Sequence, residues 1–404
     1  MNTEKAILSG RSIEKDDIRK TVHDIKFHGR AGEYFKIWIV NFFLTIFTLG
    51  LYSAWATVRK RRYFYGNTEI DNSHFDYHAL PLNLLLSRII AIAFITIYVV
   101  TGLTHPYLQL ICLLVLFIMA PYFILRSWRF NAIMTSFRNI RFSYHCRYGR
   151  GYWVILLLPA LLVIGLTLLM TLIGAVLSQI STEYSVTAEI VKIAIVMLSV
   201  AIGIFVICSV QGKQIYELFF NQLAFGQQKF STKLHYGKFF KIYGISVLIL
   251  LPFLYFSGRM MLELASAIAF ANYYQMAVSP SVVIINVLSI YLTVLCGLVI
   301  MSVYLRVAVL KYILGLISLG DKVTFRSDVT YLSYLSLVIT NSLITIFTLG
   351  FGVPLAEIRH ARYMAEHTKV IGDISLTMVN AHGETKAGAV QDELINAFDL
   401  GINL

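Results

Sequence analysis

The sequence predicts an all-α polytopic membrane protein: three transmembrane helix pairs plus two repeat-related re-entrant or broken helices near the ends, with short β-hairpins in the cytosolic connectors. Three observations carry that prediction. The 404 residues are 57% hydrophobic and only 14% charged, far from the balance of a soluble domain. Apolar runs of about 18 residues or more recur along the chain, each long enough for a helix to cross a bilayer. Finally, residues 39–50, IVNFFLTIFTLG, return at 339–350 as ITNSLITIFTLG. One segment near each end is therefore an internal repeat.

Taken in order, residues 1–22 form a polar tail of mixed charge. It has no apolar core ahead of a cleavage site, so the first apolar segment itself directs insertion. The membrane domain covers 23–376, with apolar segments at 37–58, 82–102, 107–125, 153–177, 190–210, 242–269, 282–303 and 331–356. Residues 377–404 form a cytosolic tail, within which AVQDELINAFDLGINL reads as a plain cytosolic appendage, with an amphipathic helix as the alternative.

The six middle segments pair off. The first pair is joined by a THP turn and the second by a loop with Glu183 and Glu189. The third is joined by the uncharged stretch ANYYQMAVSPS. Arginine and lysine instead crowd the other connectors, which places those connectors in the cytosol by the positive-inside rule. The net charge of +12 thus reflects topology, and nucleic acid is not an expected partner. Cys112, Cys208 and Cys296 lie in apolar spans and Cys146 in a basic loop, without any CxxC spacing. No disulfide framework or zinc cluster is indicated.

The connectors share a fainter template. NTEIDNSHF (67–75), MTSFRNIRF (134–142) and QLAFGQQKF (222–230) each set a polar turn between apolar or aromatic residues. ISLGDKVTF (317–325) and TKVIGDISL (368–376) fit with small shifts. That pattern predicts a short β-hairpin in each.

The terminal segments break the paired pattern, because each has basic residues on both sides. Arg59–Arg62 follow the first copy, and Arg359 and Arg362 follow the second. A single crossing would leave one basic flank outside, whether as an unbroken span or with an extracellular amino terminus. A re-entrant hairpin removes the conflict: the twelve residues 37–48 make a helix of about 18 Å, little over half of a ~30 Å hydrocarbon core. Leu49-Gly50 is then the tip, and Gly350, Gly352 and Pro354 crowd the corresponding place.

Asn41, Thr45 and Thr48, and again Asn341, Thr345 and Thr348, are spaced four and then three apart, which puts each set on one helical face. With Gly50 and Gly350 they form a candidate polar path for a solute, or a set of helix-to-helix contacts. Arg59, Arg62, Arg359 and Arg362 are candidates for anionic lipid head groups, with a plain topological role as the alternative. His74, Asp76 and His78 alternate in HFDYH and would share one strand face, either as metal ligands or as a solvated surface. Arg259 and Glu263 sit one turn apart near an outer interface, as a functional ion pair or a surface anchor. No catalytic, cofactor-binding or metal site is expected from any motif.

The stretch FHGRAGEYFKIWIVNFFLTIFTLGLYSAWATVRKRRYFYGNTEIDNSHFDYH resembles the opening of the bacterial YjgN family of multi-pass inner-membrane proteins, a domain of unknown function. FHG, TLG-x-Y-x-x-W and RRYFYGNT carry the resemblance, and the similarity runs on through MTSFRNIRFSYH and LPFL. The second copy departs from it, with FGVPLAEIRHARY in place of LYSAWATVRKRRY. The resemblance implies a bacterial inner-membrane location and supplies no activity, cofactor or catalytic residue. The expected function is a transporter or channel-like protein for a small solute, with both termini cytoplasmic. The alternatives are a lipid-binding or scaffolding protein without transport, or an integral-membrane enzyme with a cytosolic-face site.

Overall fold

The computed structural model describes residues 22–179, 186–320 and 323–374. Among the described residues strand β1 (Val22–Phe27) comes first and leads into helices α1 (Ala31–Phe47) and α2 (Ser53–Gly66). Strands β2 (Thr68–Ile70) and β3 (Ser73–Tyr77) follow, then α3 (Pro81–Thr104) and α4 (Pro106–Ile133). The same order continues with β4 (Thr135–Phe137), β5 (Ile140–Tyr144), α5 (Tyr148–Gln179) and α6 (Val186–Phe220). Next come β6 (Leu223–Phe225), β7 (Gln228–Ser231), α7 (Tyr236–Tyr273) and α8 (Pro280–Leu314). Strands β8 (Ser318–Leu319) and β9 (Val323–Ser327), helices α9 (Tyr331–Phe347) and α10 (Val353–Glu366), and strand β10 (Thr368–Gly372) complete it.

The ten strands form one closed antiparallel barrel in which each pairs with its chain neighbours and β1 pairs with β10. This overturns the all-α expectation, and with it the plan of three helix pairs plus two terminal elements. The barrel is the organising element, and five helical hairpins rise from one of its rims. Residues 67–75, 134–142, 222–230 and 317–325 supply paired strands. Residues 368–376 do not close a hairpin of their own: β10 pairs with β9 and β1, while Ser375 and Leu376 lie outside the described residues. The physical reason is edge satisfaction. An isolated two-stranded hairpin is marginal and leaves two rows of unpaired backbone groups, and a closed ring leaves none.

Local chemistry fixes the turns. Asp71 and Asn72 (φ 48° and 55°) and Arg138 and Asn139 (φ 50° and 63°) supply the two left-handed positions of tight hairpins. Register fixes the core: the pairs Ile25–Ile70, Phe75–Phe137, Phe142–Phe225, Phe230–Leu319 and Phe325–Val370 place one apolar side chain from every strand at one level. They pack as a single interior cluster. Ring centroids run 4.8 Å from Phe75 to Phe137, 6.3 Å on to Phe225, 4.9 Å to Phe142, 6.5 Å to Phe230 and 6.2 Å to Phe325. This aromatic layer fills the barrel.

Helices α3 to α8 are long and apolar enough to cross a membrane. Among the described residues, every substantial helix–helix contact is between chain-order neighbours, with α10 packing on α1. The helices therefore stand as a single-walled ring. Helix α4 meets α5 over Tyr148–Leu157, near the barrel, and makes no substantial contact with its remainder. A π-helical turn at Trp153–Leu157 lies there, and the Gln211 amide of α6 donates to its Val154 carbonyl (2.8 Å).

A cationic level crosses this ring. Arg59, Arg88, Arg126, Lys213 and Arg359 each lie seven residues from the barrel-side end of their helix (Gly66, Pro81, Ile133, Phe220 and Glu366), about 10 Å above the barrel. The hairpins α1–α2 and α9–α10 turn back at Leu49-Gly50 and Leu349-Gly350, with φ of 51° and 92° in both. Neither is an unbroken helix, and both return to the barrel. Their tips stand about 14 Å past the cationic level. Leu49 is 95% exposed and Leu349 90%, so the tips suit an apolar medium.

Candidate functional site

The polar residues gather where the first and last hairpins meet. Tyr34 of α1 is buried, and its hydroxyl donates to Glu357 Oε2 of α10 (2.7 Å). Lys60 Nζ of α2 donates to Glu357 Oε1 (2.7 Å). One carboxylate thus joins three helices drawn from opposite ends of the chain. Beneath it, Phe27, Tyr34, Ile358 and Ala365 form a buried cluster with Trp38, Tyr63 and Phe64 around them. Higher up, Phe351 meets Trp38 (6.1 Å) and Phe42 (6.3 Å).

An open cleft of ≈ 410 Å³ lies along this seam, lined by Lys60, Phe64, Thr345, Val353, Ala356, Glu357, His360 and Ala361. Its wall is apolar except for the ion pair, the Thr345 hydroxyl and the His360 imidazole, whose Nε2 is 3.3 Å from the Tyr334 hydroxyl. Burial, reinforced by the Arg306 guanidinium, pulls the His360 pKa below its ordinary value. Burial and then the Glu357 carboxylate push the Tyr34 phenol upward. At neutral pH the cleft holds one cation and one anion, with an uncharged imidazole beside them.

The polar stripes of the two terminal helices are occupied by local bonds. Thr45 and Thr345 donate to the Asn41 and Asn341 carbonyls (2.6 and 2.8 Å). Thr48 donates to the Leu44 carbonyl and accepts from the Tyr52 amide (2.9 Å). Thr348 donates to Ile344 and accepts from the Gly352 amide (2.6 Å), so each hydroxyl staples its own tip. Asn341 Nδ2 donates to the Ala356 carbonyl (3.1 Å), binding α9 to α10. Asn41 is buried, and the Oδ1 atoms of both asparagines have no hydrogen-bond partner among the described residues. Only Thr345 of the set reaches the cleft.

The arginines divide. Arg62 donates to the Tyr77 and Ala79 carbonyls (both 3.2 Å), clasping the junction where β3 enters α3. Arg362 does the same across the seam, donating to the Gly29 carbonyl (3.1 Å). Arg359 donates to the Thr340 hydroxyl (3.0 Å), and Arg59 stacks on the Tyr52 ring (5.6 Å). His74, Asp76 and His78 point outward from the barrel and are exposed. No group of three or more His, Cys, Asp or Glu is placed to hold a metal among the described residues. Arg259 and Glu263 pair at 3.0 Å on an exposed face.

Sequence reasoning passed over Glu357, His360 and Lys60. The available signal was the Tyr34/Tyr334 match, together with Glu357 and His360 within LAEIRHARY, in the part of the second copy that departs from the first.

Among the described residues, six sufficiently long apolar helices on a common barrel define a multi-pass integral membrane protein. The chain belongs to the family described as a bacterial protein of unknown function, DUF898, whose match covers residues 22–397. Its relatives include the inner membrane protein YjgN of Salmonella typhimurium, 28% identical over 367 residues, covering 89% of this chain and 91% of the relative. The YjgN proteins of Escherichia coli O157:H7 and of strain K12 are each 29% identical over 382 residues, covering 91% of this chain and 93% of theirs. No solved structure matches.

Proposed function

We propose that this protein is a lipid-binding protein of the inner membrane, which holds lipid within its ring of helices above a cytoplasmic barrel. The observation that carries the reading is the single wall. Helices packed on one another in a bundle would each bury a face. Here α3 has no buried residue, and α5 and α8 are nearly as bare through their apolar windows. Between the cationic level and the far ends, α3, α4, α5 and α8 carry no charged side chain. Facing water, each Leu, Ile or Phe there would forgo about 1.5–3 kcal/mol, which favours acyl chains inside the ring over an aqueous solute path. The opening between α4 and the outer part of α5 offers lateral entry. An apolar groove of ≈ 500 Å³ on α4, lined by Leu110, Leu113, Leu114, Leu116 and Phe117, adds to that surface.

The orientation follows from charge: arginine and lysine concentrate at the barrel end of the helices and are sparse at the far turns, as a cytoplasmic barrel requires. The short hairpins then dip about halfway into the ~30 Å hydrocarbon from the same side. Their shared turn angles and shared Thr staples support reading them as copies of one unit.

Native mass spectrometry of the full chain released from membranes tests the reading. We expect intact protein carrying several phospholipids that survive activation energies sufficient to strip a peripheral annulus. Protein that emerges bare under those conditions overturns it.

A further inference from the structure

We propose that the seam cleft binds the head group of a zwitterionic phospholipid bearing a primary ammonium, with its phosphate on Lys60 and its ammonium on Glu357. This deepens the lipid-binding reading and rests on it. The first argument is vertical order. Lys60 lies six residues from Gly66 and Glu357 nine from Glu366, about 9 and 14 Å above the barrel. That range brackets the cationic level, where head groups lie. Thr345, fourteen residues along α9 from Tyr331, is about 21 Å up. Val353 and Ala356, thirteen and ten residues from Glu366, line the cleft at about 20 and 15 Å. The cleft thus has a charged mouth and an apolar shaft with small side chains, in the order of a phospholipid.

The second argument is charge balance. An anionic head group on Lys60 would also face the Glu357 carboxylate, and a simple cation on Glu357 would face Lys60. A zwitterion answers both. Burial and the Arg306 guanidinium lower the His360 pKa, so the charges on the cleft lining itself are those of Lys60 and Glu357. The Lys60–Glu357 pair is partly exposed, with side chains at 48% and 28%, and such pairs open readily. The Tyr34 hydroxyl meanwhile holds Glu357 Oε2 in place. Arg62 and Arg362 already serve backbone carbonyls.

The test uses the full chain in mixed micelles containing equal amounts of phosphatidylethanolamine, phosphatidylcholine and phosphatidylglycerol, with retained lipid counted by native mass spectrometry. Trimethylation removes the N–H donors of the ammonium and leaves its charge. Wild type should therefore retain the ethanolamine lipid over the choline lipid by about tenfold. Glu357→Gln should bring the two near parity. Parity in wild type, a preference for the glycerol lipid, or an ethanolamine preference that survives Glu357→Gln overturns the assignment. If Glu357→Gln does not accumulate, the ethanolamine-to-choline ratio of wild type decides alone. Lipid retained without head-group preference sinks this site only; no retained lipid sinks the ring reading as well.

Discussion

Replacing Phe225 with alanine tests whether the barrel has a true core. Phe225 is 4% exposed, with its ring 4.9 Å from Phe142 and 6.3 Å from Phe137. Truncating a buried phenylalanine costs about 3–5 kcal/mol in lost transfer energy and residual cavity. The strands are short, and that loss falls on the free energy of opening β5 and β6. Amide hydrogen exchange reads this directly: at about 1.4 kcal/mol per tenfold, protection across β5 and β6 should drop by two to four orders of magnitude. Lys229, exposed on the outer face of β7, is the control, and its alanine variant should change exchange by less than about threefold. If Phe225→Ala behaves like Lys229→Ala, the aromatic layer is not a packed core, and closure of the barrel cannot be what organises the chain.

Two further outcomes follow from the seam and the clasps. Arg62→Met strips two bonds from carbonyls at a junction that includes the fully buried Ala79. It should cost about 1–3 kcal/mol of stability with lipid retention unchanged, whereas Arg59→Met, which loses only an exposed cation–π contact, should cost about 1 kcal/mol or less; equal losses of retained lipid in both would return these arginines to lipid contact. His360 has a depressed pKa in the folded state, so the unfolded chain binds its proton first as pH falls. Its contribution is intact above about pH 6.5 and is lost progressively below it. The thermal midpoint of wild type should therefore fall between pH 7.5 and pH 5 by more than that of His360→Gln, and parallel curves would refute the burial argument.

Much of this arrangement is visible in the residues themselves. The six long apolar helices, the break at Leu49-Gly50 and the turn residues Asp71-Asn72 and Arg138-Asn139 all follow from local chemistry. What could not be read is closure. Strands of two to six residues carry too little alternation to stand apart from polar loops, and VHDIKF gives no hint that its partner is TKVIG. That pairing joins residues roughly 350 positions apart, and no local propensity encodes it. The seam failed for the same reason, because Glu357 is unremarkable until Tyr34 and Lys60 are brought to it. The arginines were legible as cations but not as donors to particular carbonyls: a guanidinium looks the same in sequence whether it faces a phosphate or a peptide oxygen.

The meeting of β1 with β10 has a consequence for biogenesis. During synthesis β1 emerges first and waits for a mate from which every other strand and helix of the fold separates it. Until then the nascent chain carries two unsatisfied sheet edges, an invitation to pair with other chains. A product truncated before Thr368 is therefore an open arc with a permanent adhesive edge, and quality control would have to treat it as a distinct hazard rather than as a shorter version of the same protein.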